Sequence, residues 1–326
     1  MTQHAIRWMA LLLATSAIAA AVPAFGQSYP ARPIRFVLGF APGGASDTMA
    51  RVIGTRLSEG LGQPVVIDNR AGAGGNIAAE IVAHSVPDGY TMLLGNNGIL
   101  AVNVSLYPKL PFDPVKDFAP VVLIASQPNV LVVHPSVPAK SVKDLIALLK
   151  AKPGQMNYAS PGNGTTGHLA AELFKTMVGV SYTIIPFKGG GPASLAMVSG
   201  ETQFTFATAL SVAGHIKSGK LRALAVTTAK RAAGFPELPT VAEAGVPGFD
   251  AITWHGVVVP ARTPPAVIAR LNKEFNALLQ PAEMRERMLG LGSEVIGGEP
   301  KQLTDYMKVE IPRWAKVIKA SGAKPD

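Results

Sequence analysis

Residues 33–51 read PIRFVLGFAPGGASDTMAR, and this stretch decides the fold class. The apolar run Ile34 to Phe40 has the length and character of a buried strand. Pro42-Gly43-Gly44 breaks it, and Ser46-Asp47 opens a helix-like pattern. Strand, tight loop and helix start follow within nineteen positions, and the two glycines let backbone approach a ligand closely. Ser46 or Asp47 is expected to cap the N–H groups that the first helical turn leaves unpaired. A turn of this kind is an anion seat, because several N–H groups and the positive end of a helix dipole converge on one small space.

The same grammar recurs outward from that unit. A helix from about Ser46 to Leu61 leads through Gly62-Gln63-Pro64 to a second strand, Val65 to Asp68. AGAGGN (Ala71 to Asn76) opens another helix, Pro87-Asp88-Gly89 turns, and Thr91 to Gly95 forms a third strand. The alternation predicts a parallel, doubly wound sheet with ligands outside the carboxyl ends of its strands, where Asn96-Asn97-Gly98 also falls. Phe118 to His134 is a long extended run, broken near Gln127-Pro128, and reads as a first hinge crossing. A second set follows: helix Ser141 to Ala151, strand Met156 to Ala159, loop SPGNGTTGH (Ser160 to His168), a helix, strand Tyr182 to Pro186, KGGGPA opening a helix, and strands Thr202 to Thr208 and Leu221 to Thr227. Phe249 to Val259 reads as the return crossing, and three helical stretches, Pro265 to Leu279, Pro281 to Leu289 and Pro300 to Ala320, end the chain. The expected architecture is an α/β Venus flytrap with two hinge crossings: one lobe from residues 27–126 and 254–326, the other from 127–253, closing on a cleft by hinge motion.

Composition narrows the function. With 48% apolar and 16% charged residues among 326, the chain is a folded protein. Its start carries Arg7, an apolar core from Met9 to Val22 and small residues at Ala24 and Gly26, too short a core for a membrane span. This predicts a signal peptide cleaved after Gly26 and a periplasmic chain starting at Gln27. The absence of cysteine excludes disulfides and thiolate-held metals. A net charge of +9 suits anionic partners, but dispersed Lys and Arg and 6% aromatics do not make a nucleic-acid surface.

The chain also resembles a known family. YPARPIRFVLGFAPGGASDTMAR, VVIDNRAGAGGNIAAE, PDGYTMLLG, LPFDPVKDFAPV, LVVHPSVPAKSV, YASPGNGTTGHLAAELF, PFKGGGPA, GKLRALAVTTAKR and LPTVAEAGVPGF are similar to the Bug family, periplasmic solute-binding proteins of tripartite tricarboxylate transporters. The resemblance covers essentially the whole mature chain. It implies a monomeric two-lobed receptor that captures a small organic acid, with no cofactor, metal or catalytic residue, and passes it to membrane permease subunits. By motif, the first ligand seat is Phe40, Gly43, Gly44, Ser46 and Asp47, and the second is Ser160, Gly162, Asn163, Gly164, Thr165 and Thr166, with Asn97 beside them. Where many relatives have a polar Gly-Thr-His-Ala-Ile-Asn-Pro, this chain has Gly98-Ile99-Leu100-Ala101-Val102-Asn103-Val104. Ala196, Met197 and Ala207-Thr208-Ala209 stand where relatives often carry acidic residues. An apolar pocket edge and missing acids favour a dicarboxylate or an aromatic acid over an amino acid.

Enzymatic readings fare worse. Gly214 to Lys220 has phosphate-loop spacing, but Leu221 replaces the required Ser or Thr. His168 and Glu172 are one helical turn apart without a third metal ligand nearby. Ser160 lacks the leading glycine of a nucleophile elbow, which weighs against a secreted hydrolase. AGAGGN reads as tight packing, and Trp254 and His255 as hinge packing. A periplasmic sensor serving a signalling partner would use the same cleft as a transport receptor.

Overall fold

Strand β1 (Ile34–Leu38) is almost wholly buried, as its IRFVL sequence requires. It lies between β2 (Val65–Asn69) and β3 (Thr91–Asn96), parallel to both. Between them run α1 (Ala45–Leu61) and, after a short turn at Ala73–Gly75, α2 (Asn76–Ala83), and the short α3 (Asn103–Leu106) follows β3. The computed structural model describes residues 29–325. The signal peptide expected before Gln27 lies outside the described residues. Contacts divide the chain into Met1–Ala31, of which Tyr29 to Ala31 are described, and Arg32–Asp326, the unit treated below.

The predicted parallel sheet turns mixed at its centre. β9 (Ile252–Pro260) runs antiparallel to β3, with Leu93 opposite Val258. β4 (Phe118–Val133) in turn runs antiparallel to β9, so the strand order is β2-β1-β3-β9-β4. β10 (Glu294–Val295) adds to β4 at Ser126 and Ala125. β9 and β10 therefore run opposite to β1, β2, β3 and β4.

β4 continues without a break through Gln127-Pro128, where an interruption was expected. Pro128 still faces Ile252, and from Asn129 onward the strand pairs with β7 (Phe204–Thr208) and β8 (Arg222–Val226) instead. A proline, which has no N–H to give to a ladder, is tolerated where the strand changes partners. The second sheet is completed by β5 (Asn157–Ser160), parallel to β7 and to β6 (Thr183–Pro186). Its helices are α4 (Val142–Ala151), α5 (Thr166–Val178), α6 (Gly190–Val198) and α7 (Ala209–Lys217).

The chain ends in α8 (Pro265–Leu279), α9 (Ala282–Gly290) and α10 (Pro300–Ser321). α10 buries Leu303, Met307, Glu310, Trp314 and Ile318, spaced three or four apart as one helix face requires. That face packs into a core that runs from Val37 and Leu93 through Trp254 to Phe174, Phe206 and Phe249. Glu310 is buried there because it accepts from Trp254 Nε1 at 3.2 Å, Trp314 Nε1 at 2.8 Å and Arg313 Nη1 at 2.9 Å. Among the described residues, no helix is long and apolar enough to cross a membrane.

Candidate functional site

The first predicted seat lies between β1 and α1. Gly39 ends the strand in close packing: a β-carbon there would come within 2.7 Å of Gly75 Cα and 3.0 Å of Ile99 Cδ1. AGAGGN is thus a packing element, as expected. The N-cap of α1 is Gly44, with no side-chain cap, so neither Ser46 nor Asp47 caps the helix as predicted. Asp47 reaches backward instead. Its carboxylate accepts from Gly43 N at 2.9 Å, from Arg51 Nε at 2.9 Å and Nη2 at 3.0 Å, and from Asn69 Nδ2 at 3.0 Å. Asn69 Nδ2 also donates to the Phe40 carbonyl at 3.0 Å. Burial would push the Asp47 carboxyl up, but the hydrogen bonds from Arg51, Gly43 and Asn69 outweigh it and hold it below the usual carboxylate range. The clamp fixes the loop around an ionised group whose charge Arg51 matches.

Ser46, on the first turn of α1, places its Oγ 3.0 Å from His255 Nε2 in β9. His255 was expected only to pack in the hinge. Burial drives its pKa down from 6.5 to about 4, so the ring is neutral at neutral pH.

The second seat sits between β5 and α5 and is braced from within. Ser160 is fully buried, and its Oγ accepts from Gly162 N at 3.3 Å. Thr165 is the N-cap of α5: its Oγ1 donates to Gly162 O at 2.6 Å and accepts from His168 N at 3.4 Å. Gly164 N donates to His168 Nδ1 at 3.2 Å. His168 Nε2 lies 4.0 Å from Glu172 Oε1, both side chains buried, and burial pushes the Glu172 carboxyl up. His168 and Glu172 thus support the loop, and among the described residues no cluster of three or more His, Asp or Glu could hold a metal. Asn163 occupies the crest between Gly162 and Gly164, whose φ angles are 120° and 74°.

Asn97 joins this seat to the first sheet. It follows β3, is fully buried, and accepts from Thr166 Oγ1 at 3.0 Å through its Oδ1. Its Nδ2 has no hydrogen-bond partner among the described residues. Backbones are close here as well: a β-carbon on Gly98 would stand 3.2 Å from Gly164 O, and one on Gly164 would meet Leu106 Cδ2 at 2.8 Å. The structure therefore brings Thr166 and Gly164 against Asn97, Gly98 and Leu106, while Ser46 and Asp47 are held by β9 and β2.

The apolar departures have another meaning than the sequence suggested. Ile99 and Leu100, in a π-helical turn at Gly98–Val102, are fully buried. Ile99 Cδ1 covers Gly39 and Gly75, and Leu100 covers Gly95. They are core residues and do not line a pocket edge. Met197 and Ala207 likewise belong to the core under the second sheet. Two surface hollows, of about 660 Å³ beside Phe112 and Ile311 and about 430 Å³ between Arg56 and Glu274, contain none of the predicted site residues. Sequence reasoning missed Arg51, Asn69 and His255 as partners of the first seat. Only Arg51, four residues after Asp47, left a local signal.

Comparison with known proteins agrees with this architecture. Residues 49–323 match the model of the tripartite tricarboxylate transporter family receptor. Protein BugT of Bordetella pertussis is 41% identical over 315 residues, which is 96% of each chain. Among solved structures, a R. palustris protein with adipate superposes with a TM-score of 0.86 at 41% identity, covering 91% of this chain and 100% of that one. The periplasmic binding protein BugD gives 0.83 at 34% identity over 91% and 100% of the two chains. MatC from Rhodopseudomonas palustris with bound malate gives 0.82 at 34% over 89% and 100%. The chain belongs to the tripartite tricarboxylate transporter receptor family, with the two-lobed fold of a periplasmic binding protein and no enzymatic role.

Proposed function

We propose that the chain captures a small dicarboxylate in the periplasm between the loop at Phe40 to Asp47 and the loop at Ser160 to Thr166, and delivers it to the permease subunits of a tripartite tricarboxylate transporter. The observation that carries this reading is the pairing of two glycine-rich helix starts with a buried donor, Asn97 Nδ2, that has no acceptor among the described residues. A carboxylate only accepts hydrogen bonds, so it complements such a set. Relatives at 41% and 34% identity carry adipate and malate, both dicarboxylates. The preference for an aromatic acid rested partly on an apolar pocket edge at Ile99 and Leu100, and their burial weakens that part of it.

In this reading the lobes are residues 27–126 with 254–326, and 127–253, and the leader is removed after Gly26. Closure is driven by contacts that the ligand makes only when both loops reach it. Calorimetric titration of the monomeric processed chain with adipate, malate, citrate, benzoate and aspartate tests the proposal. Saturating heats with a dicarboxylate alone support it, and binding confined to aspartate or benzoate refutes the ligand class. A ligand at a hundred times its dissociation constant also adds about 2.7 kcal/mol of stability, visible as a raised melting temperature.

A further inference from the structure

His255 is the buried polar side chain whose position the receptor reading leaves unexplained. It stands in β9 opposite Asn96 of β3 and Ala125 of β4, where the chain has just returned to the first sheet. The residue is 2% exposed. One ring nitrogen, Nε2, faces Ser46 Oγ at 3.0 Å, while Nδ1 has no hydrogen-bond partner among the described residues.

These facts assign the proton. A neutral imidazole carries one N–H, and the nitrogen that bears it is set by the hydrogen bonds on offer. On Nδ1 the N–H would be a buried donor without an acceptor, which is the costlier kind of orphan. On Nε2 it meets the Ser46 oxygen. The choice matters for the neighbouring hydroxyl, because a serine that donated to a bare Nε2 would turn only lone pairs toward the seat. A serine that accepts from Nε2–H keeps its own proton to give away, and a carboxylate needs donors.

We propose that His255 is a positioning residue of the carboxylate seat: its Nε2–H donates to Ser46 Oγ and so commits the Ser46 hydroxyl to donating toward a bound carboxylate. The inference rests on the receptor reading above and assigns a second task to the return crossing. The strand that links the halves of the chain also sets the hydrogen-bond polarity of the first loop. Burial supports this, since a ring kept neutral does not add a second N–H.

Two measurements on the full processed chain test it. Long-range proton–nitrogen NMR of histidine-labelled protein at neutral pH, with His255 assigned by its loss in His255→Gln, is expected to report the Nε2–H tautomer. An Nδ1–H tautomer or a doubly protonated ring overturns the proposal. Adipate and malate are then titrated into the wild type, Ser46→Ala, His255→Leu, His255→Gln and the Ser46→Ala/His255→Leu double variant. His255→Leu is expected to weaken the acid that the wild type binds about tenfold or more, as loss of a hydrogen bond to a charged group does. The double variant should be no weaker than Ser46→Ala, and His255→Gln, which keeps an N–H on a side chain of similar reach, should recover most of the affinity. Additive losses, or wild-type affinity in a folded His255→Leu, overturn the positioning role. A wild type that binds neither acid counts against the dicarboxylate reading, and the tautomer still judges the His255–Ser46 geometry by itself.

Discussion

Gly164→Ala tests the contact between the second loop and the segment after β3. Gly164 has φ of +74°, a conformation that costs a residue with a β-carbon about 1–2 kcal/mol. The new methyl would also start 2.8 Å from Leu106 Cδ2 and 3.3 Å from Asn103 Oδ1. Leu106 is 4% exposed and has little room to retreat, so overpacking adds about 1–3 kcal/mol. The control is Gly43→Ala. Gly43 has φ of +84° with nothing within 4 Å of the added carbon, so it carries the backbone cost alone. Gly164→Ala should lose about 2–5 kcal/mol and Gly43→Ala about 1–2 kcal/mol, read as the shift in urea midpoint at unchanged slope. In thermal melts each kcal/mol corresponds to roughly 2–4 °C for a chain approaching this size. Equal losses in the two variants would refute the reasoning, because they would mean that Gly164 does not rest on Leu106 in solution.

Three further outcomes follow from named contacts. Asp47→Ala removes the acceptor of four hydrogen bonds, so it should cost about 1–3 kcal/mol and weaken ligand binding, as denaturant titration and calorimetry would read; full stability would mean the clamp is not formed. For His255, a native pKa of about 4 against 6.5 unfolded means that the unfolded chain binds the extra proton between those values. Stability therefore falls as pH drops through that window, by about 3 kcal/mol in total, and a comparison with His255→Gln isolates the loss; parallel curves would show the ring is not held neutral. Glu310→Ala leaves the Trp254 and Trp314 indoles without their acceptor and should cost about 3 kcal/mol, with Glu310→Gln recovering part of it in the same urea assay.

What the sequence revealed was local. The strand, glycine loop and helix start from Ile34 to Asp47 could be read because an apolar run, a glycine pair and a polar helix opening are all signals of neighbouring residues. Thr165 and Ser141 cap α5 and α4 by the same local chemistry. Other features depend on residues far apart in the chain. Ser46 and His255 are separated by 209 positions, and no pattern around either predicts their meeting. Asp47 looked like a cap, but Asn69 and Arg51 offered it more than the helix end did. Ile99 and Leu100 looked like pocket lining because they stand where many relatives carry polar residues, whereas their side chains fill the spaces beside Gly39, Gly75 and Gly95. The uninterrupted β4 was hidden because Pro128 breaks strands in general and is tolerated here by a change of partners.

The central place of β9 also bears on how the chain is made. It lies between β3 and β4, so the first sheet stays open in its middle until residues 252–260 have been synthesised. Before then β3 and β4 each expose an unpaired edge, and pairings such as Leu93 with Val258 close only across a very long loop. Closure of the first sheet therefore waits for the last quarter of the chain, whereas the second sheet, β4 to β8, has all its strands before β9 exists.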